Sequence, residues 1–157
     1  MKSCIVPGSF DPMTLGHRDI IERATKIFDR VYVAIMVNSE KKGCFDFSMR
    51  KQIAEATCAD IPGVSVVTVD GLLVDLCAAF EAPVIVKGIR NGSDFDYENN
   101  LAGINKFLAG GVETVWIPAS ANYSFISSAF VRELIKYDRP LDGVLHPAAI
   151  ELLKNDI

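Results

Sequence analysis

No C-x-x-C pair occurs in this sequence: Cys4, Cys44, Cys58 and Cys77 are widely and irregularly spaced along 157 residues. That spacing argues against a zinc site or a disulfide framework, and free thiols in a reducing cytoplasm are the simpler expectation. Nor is any uninterrupted apolar run long enough to span a bilayer. The opening MKSCIVPGSF holds only three consecutive apolar residues before a proline, too few for a secretory leader. Basic residues are not in excess, with 16 Lys and Arg against 20 Asp and Glu and a net charge of −4. A nucleic-acid coat is therefore not expected, although a local basic site for one small phosphorylated ligand is compatible with that total. Long polar blocks are missing too, and half of the residues are apolar, which opposes disorder and fits one globular domain over residues 1–157.

Short runs rich in β-branched residues alternate with stretches of helical periodicity. CIV at 4–6, VYVAIMV at 31–37, VSVVTV at 64–69, PVIVK at 83–87 and TVWIP at 114–118 read as strands. Between the first two, GHRDIIERATKIF sets Ile20, Ile21, Ala24, Ile27 and Phe28 at helical spacing. Further helices are expected near 48–59, 72–81, 94–109, 127–137 and 147–155. The nearly continuous β-branched character of VYVAIMV and VSVVTV predicts strands covered on both faces. This alternation predicts an α/β fold with a single doubly wound parallel sheet and helices on both sides. In such a sheet ligands sit beyond the carboxyl ends of the strands, at the crevice where strand order reverses.

The chemically suggestive residues fall just after the strands. GSFDPMTLGH follows the first, NSEKKG the second, DGLL the third, GIRNGSDFDYE the fourth and ASANYSFISS the fifth. Gly8 permits a turn or close approach, and Gly16 and His17 lie where the next helix begins, so free N–H groups there could receive an anion. His17 could donate an imidazole N–H to a phosphate oxygen, most strongly when protonated. The competing reading makes Asp11 and Thr14 turn and cap residues and His17 a surface residue. Lys41 and Lys42 read as either a solvated pair or flexible phosphate ligands. Ser48 is a candidate N-cap. Lys87, Gly88 and Arg90 follow the fourth strand directly, and Arg90 could bind phosphate through two parallel N–H bonds. Asp94 and Asp96 read as helix-opening caps, and Glu98 as a cap or an acceptor for a ligand amine or ribose. Ser127 and Ser128 are natural N-caps, and hydroxyls with helix N–H groups can also hold outer phosphates. Neither G-x-G-x-x-G nor G-x-x-x-x-G-K-S/T occurs, and no serine sits in G-x-S-x-G, so dinucleotide, P-loop and serine-nucleophile readings lack support.

GSFDPMTLGH resembles the S/T-F-D-P-x-T-x-G-H signature of nucleotidyltransferases with a HIGH-like histidine motif. Together with KK, KGIRNGSDFDYE and SFISS in that order, it makes nearly the whole chain similar to the phosphopantetheine adenylyltransferase family. The resemblance implies a Rossmann-like nucleotidyltransferase fold and transfer of AMP from ATP to 4′-phosphopantetheine. The products would be dephospho-coenzyme A and pyrophosphate, at the penultimate step of coenzyme A biosynthesis. By the same resemblance Ser9, Lys41, Leu73 and Lys87 would contact phosphopantetheine. Ser9, Phe10, His17, Gly88, Ile89, Arg90 and Glu98 would contact ATP, as would Tyr123, Ser124, Phe125, Ile126, Ser127, Ser128 and Ala129. His17, Lys41 and Arg90 would carry catalysis. A homohexamer, magnesium brought with ATP rather than held in a protein cage, and feedback by coenzyme A are implied in the same way. Two positions depart from the family pattern: Lys87 stands where Arg is usual, losing a bidentate fork, and Ala129 where Ser or Thr is common.

The expected chemistry is in-line attack by an acceptor phosphate oxygen on the α-phosphorus of ATP. The acceptor is already anionic, so His17 would stabilise the transition state rather than act as a base. Other expectations remain open at this point: a nicotinamide mononucleotide or polyol phosphate acceptor, or a nucleotide-sensing module without catalysis.

Overall fold

A computed structural model describes residues 1–37 and 43–155. Five strands, β1 (Ser3–Gly8), β2 (Arg30–Met36), β3 (Val64–Val69), β4 (Val84–Ile89) and β5 (Glu113–Pro118), form one sheet in the order β3-β2-β1-β4-β5. Every pairing is parallel. The helices are α1 (Leu15–Ala24), α2 (Phe47–Cys58), α3 (Leu73–Ala79), α4 (Gly92–Leu108), α5 (Ser128–Lys136) and α6 (Pro147–Asn155). A short 3-10 turn, Ala121–Tyr123, stands between β5 and α5.

The alternation of side chains along β1 sorts the core into two layers. Cys4 and Val6 pack with Val33, Ile35 and Val86 against Ile20 and Ile21 of α1, Ile53 of α2, Val131 of α5 and Ala149 of α6. Ile5 faces the other way, with Ala34, Ile85 and Cys77 of α3. Right-handed crossovers demand this division, because the chain first winds from β1 outward to β3 and then returns past β1 to β4 and β5. The second layer is thinner, and none of the α4 side chains is fully buried.

Several boundaries differ from the sequence pattern for identifiable reasons. β2 is covered on both faces, with Val31, Val33, Ala34 and Ile35 buried, but β3 has no fully buried residue because it forms the edge of the sheet. α1 stops at Ala24, and the following turns keep Phe28 buried without continuing the helix. α2 is capped by Asp46, whose Oδ1 accepts the Met49 amide at 2.8 Å, rather than by Ser48. α4 starts at Gly92, capped by Asn91. The fold is the Rossmann-like, doubly wound α/β arrangement.

Candidate active site

The switch in winding direction lies between β1 and β4, and there the sheet parts. β1 pairs with β4 only at Cys4–Val84 and Ile5–Ile85. β1 nevertheless stays on β2 as far as Gly8, and β4 stays on β5 as far as Ile89. Pro7, which has no N–H to give, stands beyond the last β1–β4 pair, where that edge of the strand lacks a ladder partner. The parting opens a cavity of about 340 Å³ at the carboxyl end of the sheet, with Val6, Pro7 and Val86 on its wall. This is the position the strand-order rule requires.

The first loop is shaped by packing. Phe10 adopts φ 44° and turns its buried ring back over Gly8, where a Cβ would come within 3.0 Å of the ring. Glycine at position 8 thus makes room for Phe10, whose ring meets the His17 imidazole edge-on at 5.1 Å. Asp11, the one buried acid among the described residues, accepts the amides of Cys44 and Phe45 at 2.8 and 2.9 Å. The buried Arg50 guanidinium lies 3.3 Å from the same carboxylate and donates to the Phe45 carbonyl at 2.8 Å. Arg132 donates to the Asp11 carbonyl at 2.8 Å. Asp11 therefore ties the loop after β1 to residues 43–45 and to α5. Gly43 is required in this clamp, because a Cβ there would fall 1.4 Å from Arg50 Nη2.

Thr14 caps α1 and fixes His17. Its hydroxyl accepts the His17 amide at 3.3 Å, and its own amide donates to His17 Nδ1 at 2.9 Å. An amide can only donate, so Nδ1 is the acceptor and the proton of the neutral ring resides on Nε2. Burial, then the charges of Arg90 and Lys87, push the His17 pKa down to about 4. The sequence reading has His17 donating an N–H, most strongly when protonated. In this environment the imidazole is neutral at pH 7 and presents Nε2–H.

The cations at the carboxyl end of β4, Lys87 within the strand and Arg90 just after it, are held by α4. Lys87 Nζ lies 3.1 Å from Glu98 Oε1. Arg90 donates through Nε to Asp94 Oδ2 at 2.9 Å and through Nη2 to Oδ1 at 3.3 Å, and its backbone amide reaches Oδ2 at 3.2 Å. Burial works to raise the Asp94 pKa, but the hydrogen bonds and charge of Arg90 outweigh it and hold the carboxyl below its ordinary value. The helix cap is Asn91, whose Oδ1 accepts the Asp94 amide at 2.9 Å, so Asp94 does not serve as the cap read from sequence. Gly88 also has a role that spacing did not disclose: its Cβ would come 2.9 Å from Ile20 Cγ1, so glycine lets α1 lie against β4.

In the fifth loop the hydroxyls make local bonds. Ser127 caps α5 by accepting the Phe130 amide at 3.0 Å, Ser128 donates to the Pro12 carbonyl at 2.8 Å, and Ser124 donates to the Ala121 carbonyl at 3.1 Å. Ser120 donates to Asp19 at 2.8 Å and Arg23 to the Pro118 carbonyl at 2.7 Å, which binds the loop to α1.

Among the residues singled out from sequence, Ser9, Phe10 and His17 line the cavity, as do Lys87, Gly88, Arg90 and Glu98. Tyr123, Ile126, Ser127 and Ser128 line its remaining side. Leu73, Ile89, Ser124, Phe125 and Ala129 lie off this wall; Leu73 packs on the thinner core layer. Lys41 and Lys42 fall outside the described residues. Thr14, Asp94, Tyr97 and Ala119 belong to the wall without having been chosen as ligand contacts. Only Thr14 and Asp94 gave a signal, as cap candidates. The N-termini of α1 and α5 open on the cavity beside Lys87 and Arg90, an arrangement suited to several phosphates at once. Among the described residues no three His, Cys, Asp or Glu side chains gather to hold a metal.

Comparison with known proteins agrees with this geometry. The family model described as cytidylyltransferase-like matches residues 5–134. The phosphopantetheine adenylyltransferase of Streptomyces coelicolor is 44% identical over 153 residues, covering 98% of this chain and 96% of the relative. The enzymes of that name from Staphylococcus carnosus and Clostridium novyi are 47% and 41% identical over 136 and 157 residues. These alignments take in 87% and 100% of this chain, and 84% and 98% of the two relatives. With the parted sheet, the histidine-bearing first loop and the paired cations all within the matched length, the chain belongs to the phosphopantetheine adenylyltransferase family.

Proposed function

We propose that this chain, acting as one nucleotidyltransferase domain, transfers AMP from ATP to 4′-phosphopantetheine, giving dephospho-coenzyme A and pyrophosphate. This is the penultimate step of coenzyme A biosynthesis. The observation that supports it best is the convergence of a neutral His17 Nε2–H donor, Lys87 and Arg90 on one cavity at the β1–β4 parting. The acceptor phosphate oxygen forms a bond to the α-phosphorus while the bond from that phosphorus to the bridging oxygen breaks. Pyrophosphate departs with the electron pair. The attacking oxygen is already anionic, so no side chain needs to remove a proton. The chain must hold two mutually repelling phosphates in line and stabilise charge on the non-bridging oxygens.

In this reading Ser9, Lys41, Leu73 and Lys87 meet phosphopantetheine. Ser9, Phe10, His17, Gly88, Ile89, Arg90, Glu98 and the segment Tyr123 to Ala129 meet ATP. His17, Lys41 and Arg90 bind the charge that develops between the substrates. Asp94 and Glu98 are engaged by Arg90 and Lys87, and they do not form a cation cage. Magnesium, brought with ATP, would shield the β and γ phosphates.

Exposed Phe95, Tyr97, Ile104, Phe107 and Leu108 on α4 support assembly with further copies, which we take to be a homohexamer. Coenzyme A, which contains the product, is the proposed feedback ligand of the same cavity. The four free cysteines support a cytoplasmic location, and among the described residues no helix is long and apolar enough to cross a membrane.

The deciding assay is pyrophosphate release from ATP and 4′-phosphopantetheine, with nicotinamide mononucleotide and a polyol phosphate as control acceptors. His17→Ala is expected to lower kcat by about 10²–10³ while changing ATP affinity far less, as removal of one preorganised donor does. Normal turnover in that variant would remove His17 from the chemistry. Release with a control acceptor alone would reassign the substrate.

A further inference from the structure

We propose that Asp94 is a positioning residue, which holds Arg90 by the Nε/Nη2 edge of its guanidinium and thereby presents the Nη1/Nη2 edge to the nucleotide phosphates. The identity of that anion rests on the adenylyl-transfer reading; the grip on Arg90 does not.

A carboxylate in the first turn of a helix has an ordinary explanation, since it faces the positive end of the helix dipole. Here the N–H group such a residue would cap is served by another side chain: Asn91 Oδ1 accepts the Asp94 amide at 2.9 Å. Both carboxylate oxygens of Asp94 are directed instead to Arg90. They take Nε at 2.9 Å, Nη2 at 3.3 Å and the backbone amide at 3.2 Å, so side chain and main chain of the same residue are fixed together. Because the carboxylate occupies the Nε/Nη2 edge, the two hydrogens of Nη1 and one of Nη2 have no partner among the described residues. Arg90 and Asp94 both line the cavity. A planar fork held along one edge can still offer a second pair of donors to a phosphate.

Lys87 is held differently. Its ammonium meets Glu98, one helical turn beyond Asp94, through a single 3.1 Å contact. A lysine held this way can swing with a moving phosphate, whereas Arg90 is locked in direction. α4 thus holds one cation rigidly and lets the other pivot, through carboxylates four residues apart.

Two opposite consequences separate positioning from simple neutralisation. If Asp94 merely cancelled the Arg90 charge, it would compete with phosphate, and its removal would tighten anion binding. If it aims the fork, its removal weakens binding, and only while Arg90 is present.

The experiment is a double-mutant cycle on the full chain with Asp94→Asn, Arg90→Ala and the pair, repeated with Asp94→Ser in case the first variant is unstable. Pyrophosphate and ATP affinity are measured by calorimetry. Steady-state kcat and KM are measured with ATP and 4′-phosphopantetheine, and thermal unfolding is followed in parallel. Asp94→Asn is expected to weaken pyrophosphate binding and to lower kcat/KM for ATP, each about tenfold, yet to change neither by more than about twofold in the Arg90→Ala background. Tighter pyrophosphate binding in Asp94→Asn, or equal losses with and without Arg90, would overturn the proposal. A wild-type chain that binds pyrophosphate but releases none from the substrates refutes the adenylyl-transfer reading alone, because the binding cycle still decides Asp94. A wild-type chain that binds neither pyrophosphate nor ATP overturns both.

Discussion

The protonation state of His17 can be tested with a substitution that preserves its structural role. Thr14 and His17 stand as a capping box, in which glutamine is an ordinary occupant of the third helical position. His17→Gln should therefore keep the start of α1 while deleting the titration. A pKa of about 4 leaves roughly one ring in a thousand protonated at pH 7, against about one in four at the ordinary value near 6.5. The unfolded chain takes up the proton as pH falls through about 6.5, but the folded chain does not until about 4. Stability from a neutral His17 is thus complete above the upper value and is lost as pH falls across that window. Integrating from pH 7 to 4.5, wild type should lose about 2 kcal/mol more than His17→Gln, since the other titrations cancel in the difference. Urea unfolding of both chains at several pH values measures this, and imidazole NMR reports the midpoint and tautomer. A midpoint near 6.5, a proton on Nδ1, or parallel stability curves would refute the assignment of a neutral Nε2–H donor.

Removing charge from the loop clamp should be costly. Asp11→Asn leaves the buried Arg50 guanidinium without its counter-charge and should lower unfolding free energy by about 3–5 kcal/mol, read from denaturant midpoints; a change under 1 kcal/mol would contradict the clamp. Gly88→Ala pushes a Cβ against Ile20 Cγ1 and should destabilise by about 1–3 kcal/mol, a cost that should shrink in an Ile20→Ala background, where that atom is gone; an equal cost there would show another cause. Lys87→Arg introduces the fork usual in the family and should lower KM for 4′-phosphopantetheine about threefold in steady-state assays; a raised KM would show that the cavity is fitted to lysine.

The layout of the fold was legible because strand and helix periods alternate without interruption, and handedness leaves few ways to wind such a chain. The partial exposure of β3 was not, because VSVVTV has the composition of a central strand and only the pairing order places it at an edge. The first loop announced itself through glycine, proline and His17. Its internal cause, the Phe10 ring folded over Gly8, depends on a backbone angle that composition does not specify. Arg50 passed unnoticed for a related reason: in FSMRKQ a basic residue looks like a solvated helix face, and only the approach of Asp11 from a distant loop makes it a buried partner. Asp94 was visible but assigned to the cap, since a carboxylate at a helix start serves that purpose in most proteins. Spacing alone could not tell which neighbour its oxygens would choose.

The two-rung contact between β1 and β4 leaves the β4-facing peptide groups of β1 beyond Ile5 without a strand partner. For any molecule seated in that seam, part of the recognition is written in main-chain atoms. Substituting side chains one by one will not remove it. Drift in the sequence of Val6 or Val86 should then be tolerated wherever size is kept, while insertion of a residue, which shifts the whole register of these peptide groups, should not.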